Sequence, residues 1–106
     1  MVFSISSALL DACILSVLAK GDTYGYALTQ RMKGVVDLSE STLYPVLRRL
    51  QKAGYLETYD QQFQGRNRRF YKITELGIQA LDSYQKEWVE YKAQVESILL
   101  GGANDE

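Results

Sequence analysis

The sequence predicts a mainly α-helical fold with one small β-hairpin and a long C-terminal helix. Three observations predict it. Apolar residues recur at helical spacing through three short segments; extended-structure formers then flank a polar, glycine-containing tip; an unbroken helical pattern runs from there almost to the end. A chain of 106 residues fits one domain with a modest core. We divide it into a helix–hairpin unit over 1–73, a C-terminal helix over 74–100 and a frayed tail over 101–106.

The first helix spans Ile5 to Lys20. Leu9, Ala12, Cys13, Ser16 and Val17 follow the helical period, and Leu10, Ile14, Leu15 and Leu18 widen the apolar surface, so this helix is buried on more than one side. Gly21 ends it. Asp22 and Thr23 offer caps for a second helix, Tyr24 to Lys33, with Tyr24, Leu28 and Met32 four residues apart. A third helix starts near Ser39, with Leu43, Val46, Leu47 and Leu50 as its apolar stripe, and Gly54 closes it. Pro45 leaves its start open. With Thr42 as the cap, the proline falls in the first turn, where no N–H is needed; with Ser39 as the cap, it lies inside the helix and bends it near Ser41.

Tyr55, Leu56, Thr58 and Tyr59 favour a strand, as do Phe70, Tyr71 and Ile73, and the polar stretch Asp60 to Arg69 forms the tip between them. Thr74 caps the last helix, Glu75 to Leu100, roughly 39 Å long at 1.5 Å per residue. Leu81, Tyr84, Trp88, Tyr91, Val95 and Ile98 alternate by three and four along it, a heptad seam that suits pairing with a second copy. The other reading folds this seam back onto its own domain.

Charge is unevenly placed. Between residues 31 and 72, nine basic residues face four acids; from 73 onward, Lys86 and Lys92 face seven. A basic middle beside an acidic end points to a polyanion met by the middle alone. Histidine is absent and Cys13 is the single cysteine, which removes the commonest general base, a disulfide framework and a cysteine-anchored zinc site. No phosphate loop or metal-ligand spacing occurs, so an enzyme is disfavoured and no cofactor is expected. Cys13, in its apolar setting, reads as a core residue and not an oxidant sensor. No apolar run reaches the ~20 residues of a membrane span, and the expected location is the cytoplasm.

Three helices followed by a hairpin is the order of a winged helix-turn-helix, in which the third helix enters the major groove and the hairpin tip, or wing, follows the backbone or minor groove. Ser39, Ser41 and Thr42 at the third helix's start suit phosphate, helped by free N–H groups and the helix dipole. Tyr44 and Arg48 suit groove or phosphate, with packing inside the domain as the other option for Tyr44. Arg66, Asn67 and Arg68 suit the backbone at the wing. Arg49 is set aside as a partner for Glu40 or Glu57. Of Arg68 and Arg69, which alternate along a strand, one should face the domain, and Arg69 is the one set aside.

The segments STLYPVLRRLQKAGYL (41–56), QGRNRRFYKITELG (64–77) and KGDTYGYALTQRM (20–32) resemble the PadR family of bacterial regulators over nearly the whole chain. The resemblance implies a homodimer built on the C-terminal helix, binding operator DNA to repress a nearby promoter. The length is similar to that of the shorter subfamily with a single C-terminal helix, some of whose members are multidrug-sensing repressors. These carry a tryptophan eleven residues after the glycine that opens the dimer helix, as Trp88 follows Gly77 here. In such regulators paired tryptophans flank a central pore where planar aromatic compounds stack. The resemblance places Ala8, Asp11, Ala12, Trp88, Tyr91, Lys92 and Val95 around that space. Lys92 stands where those sensors carry an acid, which speaks against cationic compounds, and Asp11 restores an acid only in part. Three classes follow: a ligand-responsive repressor, a DNA-binding dimer without a small-molecule input, and an interaction module or enzyme built on the same fold.

Overall fold

Helix α1 (Ser7–Ala19) starts where the Ser6 hydroxyl accepts the Leu9 N–H at 3.1 Å, a local cap. The computed structural model describes residues 3–101; the expected tail beyond Gly101 lies outside them. Ile14, Leu15 and Leu18 of α1 are fully buried, and Leu10, Cys13 and Val17 pack around the same core. The wide apolar surface of α1 therefore serves a central helix touched from several sides.

The second helix departs from its expected start. Thr23–Tyr24 form a short strand, β1, and α2 (Gly25–Arg31) begins only after it, with no side-chain cap. Asp22 accepts the Tyr59 hydroxyl at 2.7 Å and Thr23 pairs with Tyr71, so neither residue caps. A two-residue strand has no period of its own to detect, and partners 46 and 48 positions away in sequence create it.

Helix α3 (Glu40–Lys52) is capped by Ser39, whose hydroxyl accepts the Thr42 N–H at 3.2 Å. Pro45 thus lies inside the helix and deprives the Ser41 carbonyl of its helical donor. Both residues are exposed, so water can take the donor's place. Leu43, Leu47 and Leu50 are buried. Gly54, at φ 87°, closes α3 with the Tyr55 N–H donating to the Leu50 carbonyl, a Schellman stop.

The hairpin is longer and tighter than the sequence suggests. Strands β2 (Leu56–Phe63) and β3 (Arg66–Ile73) pair without interruption from Leu56↔Ile73 to Phe63↔Arg66. Gln64 (φ 54°) and Gly65 (φ 77°) make the whole turn, with the two positive φ angles of a type I′ hairpin. The expected ten-residue tip is mostly strand. Its polar residues hid the pairing because both faces of that half of the hairpin are wet. Strand order is β1-β3-β2, all antiparallel.

Helix α4 (Glu75–Leu99) starts at the expected Thr74 cap, whose hydroxyl accepts the Gly77 N–H. Leu81 is buried in the core, and Ala80 and Tyr84 pack against it. The first half of α4 thus lies on its own domain, chiefly against α1. Leu81 and Tyr84 are not a free seam. Trp88 and Tyr91 lie beside the start of α1 yet remain largely in solvent, and Val89, Ile98 and Leu99 are exposed as well.

Candidate nucleic-acid interface

The three core leucines of α3 fix which side of that helix meets solvent. Ser41, Thr42, Tyr44, Arg48, Gln51 and Lys52 are exposed. Tyr44, Arg48 and Gln51 line a groove whose far wall is the wing, with Asp60, Asn67, Arg68, Arg69 and Tyr71. Tyr44 is not in the core. Its ring lies along Gly25, where an added Cβ would stand 3.1 Å from the hydroxyl, so α2 holds the ring at the groove floor.

At the head of α3, the Ser39 hydroxyl lies 3.1 Å from that of Ser41 and 3.0 Å from that of Thr42. Ser39 already serves as cap, which leaves Ser41 and Thr42 freer to meet an anion beside the unpaired N–H groups of the first turn. Glu40 sits in the same turn and lines the groove. Its carboxylate opposes phosphate there but can accept from a cytosine amino group. Sequence reasoning overlooked Glu40, Gln51 and Tyr26 at this face. Four-residue spacing from Tyr44 and Arg48 would have marked Glu40, whereas Tyr26 depends on how α2 turns after β1.

The two faces of the wing have different tasks. Register places Tyr59, Phe63, Arg68 and Phe70 on one face and Asp60, Asn67, Arg69 and Tyr71 on the other. On the first, Phe70 contacts Tyr24, Tyr59 and Phe63 at centroid separations of 5.5 to 6.1 Å. The Arg68 guanidinium lies 4.5 Å from the Tyr24 ring centroid and donates to the Phe63 carbonyl at 3.3 Å. Arg68 is therefore anchored on the aromatic cluster at the edge of the groove, which it also lines. Arg69 is exposed on the groove side with only a loose contact to Asp60 at 3.8 Å. Both arginines thus border the groove, Arg68 pinned on Tyr24 and Arg69 free, so the arginine set aside from the sequence lies at this face as well. Arg66 and Asn67 remain exposed at the tip. Arg68→Ala should lower thermal stability by about 1 kcal/mol through the lost cation–π contact, with little change in salt dependence of DNA binding. Arg66→Ala should do the opposite. Parallel melts and DNA titrations check the pair.

Arg49 is engaged, but not with Glu40 or Glu57. It forms a bidentate pair with Asp11 of α1, at 2.9 and 2.7 Å. The Asp11 side chain is 6% exposed and that of Arg49 52%. The hydrogen bonds and charge of Asp11 hold the guanidinium pKa above its ordinary value. Asp11 was grouped with a ligand space by resemblance; its carboxylate is occupied by this pair instead.

On an adjoining face of α1, Ala8 and Ala12 line an open, mostly apolar groove of about 380 Å³ with Tyr84, Glu87, Trp88 and Tyr91. Lys92 and Val95, further along α4, are not among its lining residues. A neighbouring apolar hollow adds Cys13, Val35 and Leu81. Burial pushes the Cys13 thiol pKa up, disfavouring the reactive thiolate.

Among the described residues no helix is long and apolar enough to cross a membrane. A three-helix core whose third helix and β-hairpin flank one cationic groove defines a winged helix-turn-helix protein of the DNA-binding class. The transcriptional regulator PadR-like family matches residues 14–83, and the chain belongs to that family. A Streptococcus mutans crystal structure is similar at 40% identity and TM-score 0.90, covering 100% of both chains. A PadR-like regulator of Bacillus cereus is similar at 30% identity and TM-score 0.80, covering 88% of this chain and 93% of that one. Bacillus subtilis PadR, solved in complex with operator DNA, is similar at 27% identity and TM-score 0.65, over 73% of this chain and 46% of its own.

Proposed function

We propose that this regulator is a homodimeric repressor that sets two copies of α3 in successive major grooves, about 34 Å apart, on a pseudo-palindromic operator. The observation that carries the reading is the groove in which Tyr44 and Arg48 of α3 face Asn67 and Arg69 of the wing. Ser41, Thr42 and Arg66 extend the same surface to phosphate. Bacillus subtilis PadR, of the same family, was solved on operator DNA, which supports the DNA partner.

Dimerisation through α4 is supported by its exposed second half. Trp88 is 41% and Ile98 83% exposed, an apolar run that a monomer leaves in water. The seam then begins at Trp88 and runs through Tyr91, Val95 and Ile98. An input by a planar aromatic compound is supported by Ala8, Ala12, Trp88 and Tyr91 meeting in one apolar groove. A dimer regulated without any such compound is the second reading, favoured by Asp11, whose carboxylate is taken up by Arg49 and does not line that groove.

The test is a mobility shift with DNA from upstream of the protein's own gene. We expect salt-sensitive binding well above that to random DNA; equal binding to both defeats the repressor reading. Trp88 is the single tryptophan, so its fluorescence reports on the groove. Quenching by planar aromatic compounds, a neutral one such as riboflavin beside a cationic one such as ethidium, with DNA release, supports the effector reading. An intact dimer that no planar compound quenches leaves the ligand-free alternative.

A further inference from the structure

We propose that Asp11 is a positioning residue for DNA recognition, acting through Arg49 to hold α3 at one orientation about its own axis. The inference rests on the DNA-binding reading above and concerns residues outside the groove itself.

The core holds α3 through Leu43, Leu47 and Leu50, one apolar stripe along the helix. Such contacts are strong but non-directional, and they specify the rotation of the helix less sharply than a directional bond does. A roll matters here because Tyr44 and Arg48 lie on the flank of that stripe and would swing across the groove. A bidentate arginine–carboxylate pair is directional, since two parallel N–H···O bonds fix the plane of the guanidinium. Arg49 follows Arg48 directly, so holding one sets the bearing of the other.

The pair is also unlike the other ion pairs among the described residues. Arg69–Asp60 and Lys86–Asp82 are exposed on both sides, whereas Asp11 is almost fully enclosed. A carboxylate in such a place is retained at a desolvation cost, which its partner must offset. Tyr84 of α4 packs near the pair; burial first, then the Asp11 charge, raises its hydroxyl pKa. Three helices thus meet at this point. Without Asp11, Arg49 would be a free cation beside Arg48 and could draw phosphate to the wrong side of the helix.

The experiment uses the full chain with operator and random duplexes across a salt series. Asp11→Asn keeps the shape of the side chain and removes the charge. We expect it to weaken operator binding about tenfold, with affinity for random DNA and the salt slope kept or raised by the freed Arg49. Arg49→Gln should match it, and the double variant should be no weaker than the poorer single one. Arg49→Lys keeps the charge at a half-exposed position and loses the fork, so it should reproduce most of the loss and carries the test if Asp11→Asn does not fold. Operator affinity kept in full by either Asp11→Asn or Arg49→Lys overturns the clamp alone. A salt slope reduced by about one in Arg49→Gln also overturns it, because Arg49 would then be a phosphate contact. Wild-type protein without operator preference overturns both the clamp and the repressor reading.

Discussion

Replacing Gly77 with alanine is expected to cost about 3 kcal/mol of stability and to lower Tm by about 15 °C. A Cβ at this position would stand 2.4 Å from the Tyr55 carbonyl oxygen and 2.7 Å from Cγ1 of Ile73. The carbonyl has nowhere to go. It already accepts the Thr74 N–H at 3.0 Å, while the Thr74 hydroxyl donates to the Gly54 carbonyl at 2.6 Å. Gly77 therefore lets the first turn of α4 rest directly on the backbone between α3 and β2. Alanine in a helix interior normally gains 0.5 to about 1 kcal/mol over glycine. Here that gain is smaller than the clash, so the net sign is destabilising. A melt showing equal or higher Tm would mean that α4 stands off the domain further than these contacts allow.

Replacing Arg48 with alanine is expected to weaken operator binding by about 10- to 100-fold while leaving the melt almost unchanged. The side chain is exposed in the centre of the groove, opposite the wing. Its removal opens no cavity and leaves no buried partner unpaired, so folding has little reason to respond. The salt series decides what Arg48 touches. A loss confined to the operator, with the slope intact, marks a base contact; a uniform loss with the slope lowered by about one marks a phosphate. An unchanged operator affinity would move recognition away from the centre of α3. Lys86, paired with Asp82 on the surface of α4, is the neutral control.

The contrast between these two positions follows what could be read from the chain alone. Arg48 was visible as a cation outside a leucine stripe, because helical period is a local property. Gly77 was visible only as a residue of a family motif; that a Cβ would strike Tyr55 is a fact of packing between distant segments. The same division runs through the wing. Strand-forming residues marked its ends, yet the polar half between Asp60 and Arg69 looked like loop, since pairing and not composition makes it sheet.

The sequence by itself determined the helix order, the caps at Thr74 and Gly54, the basic middle and the family. Each rests on residue type and spacing within one or two turns of chain. Only the tertiary structure decided that Thr23–Tyr24 join the sheet, that Ser39 and not Thr42 caps α3, and that Leu81 belongs to the monomer core. It also decided that Arg68 packs on Tyr24 while Arg69 faces the groove, and that Arg49 is held by Asp11. These are choices among partners of similar chemistry. Local preference leaves them nearly equal in energy, and burial and register, which exist only once the chain is folded, separate them.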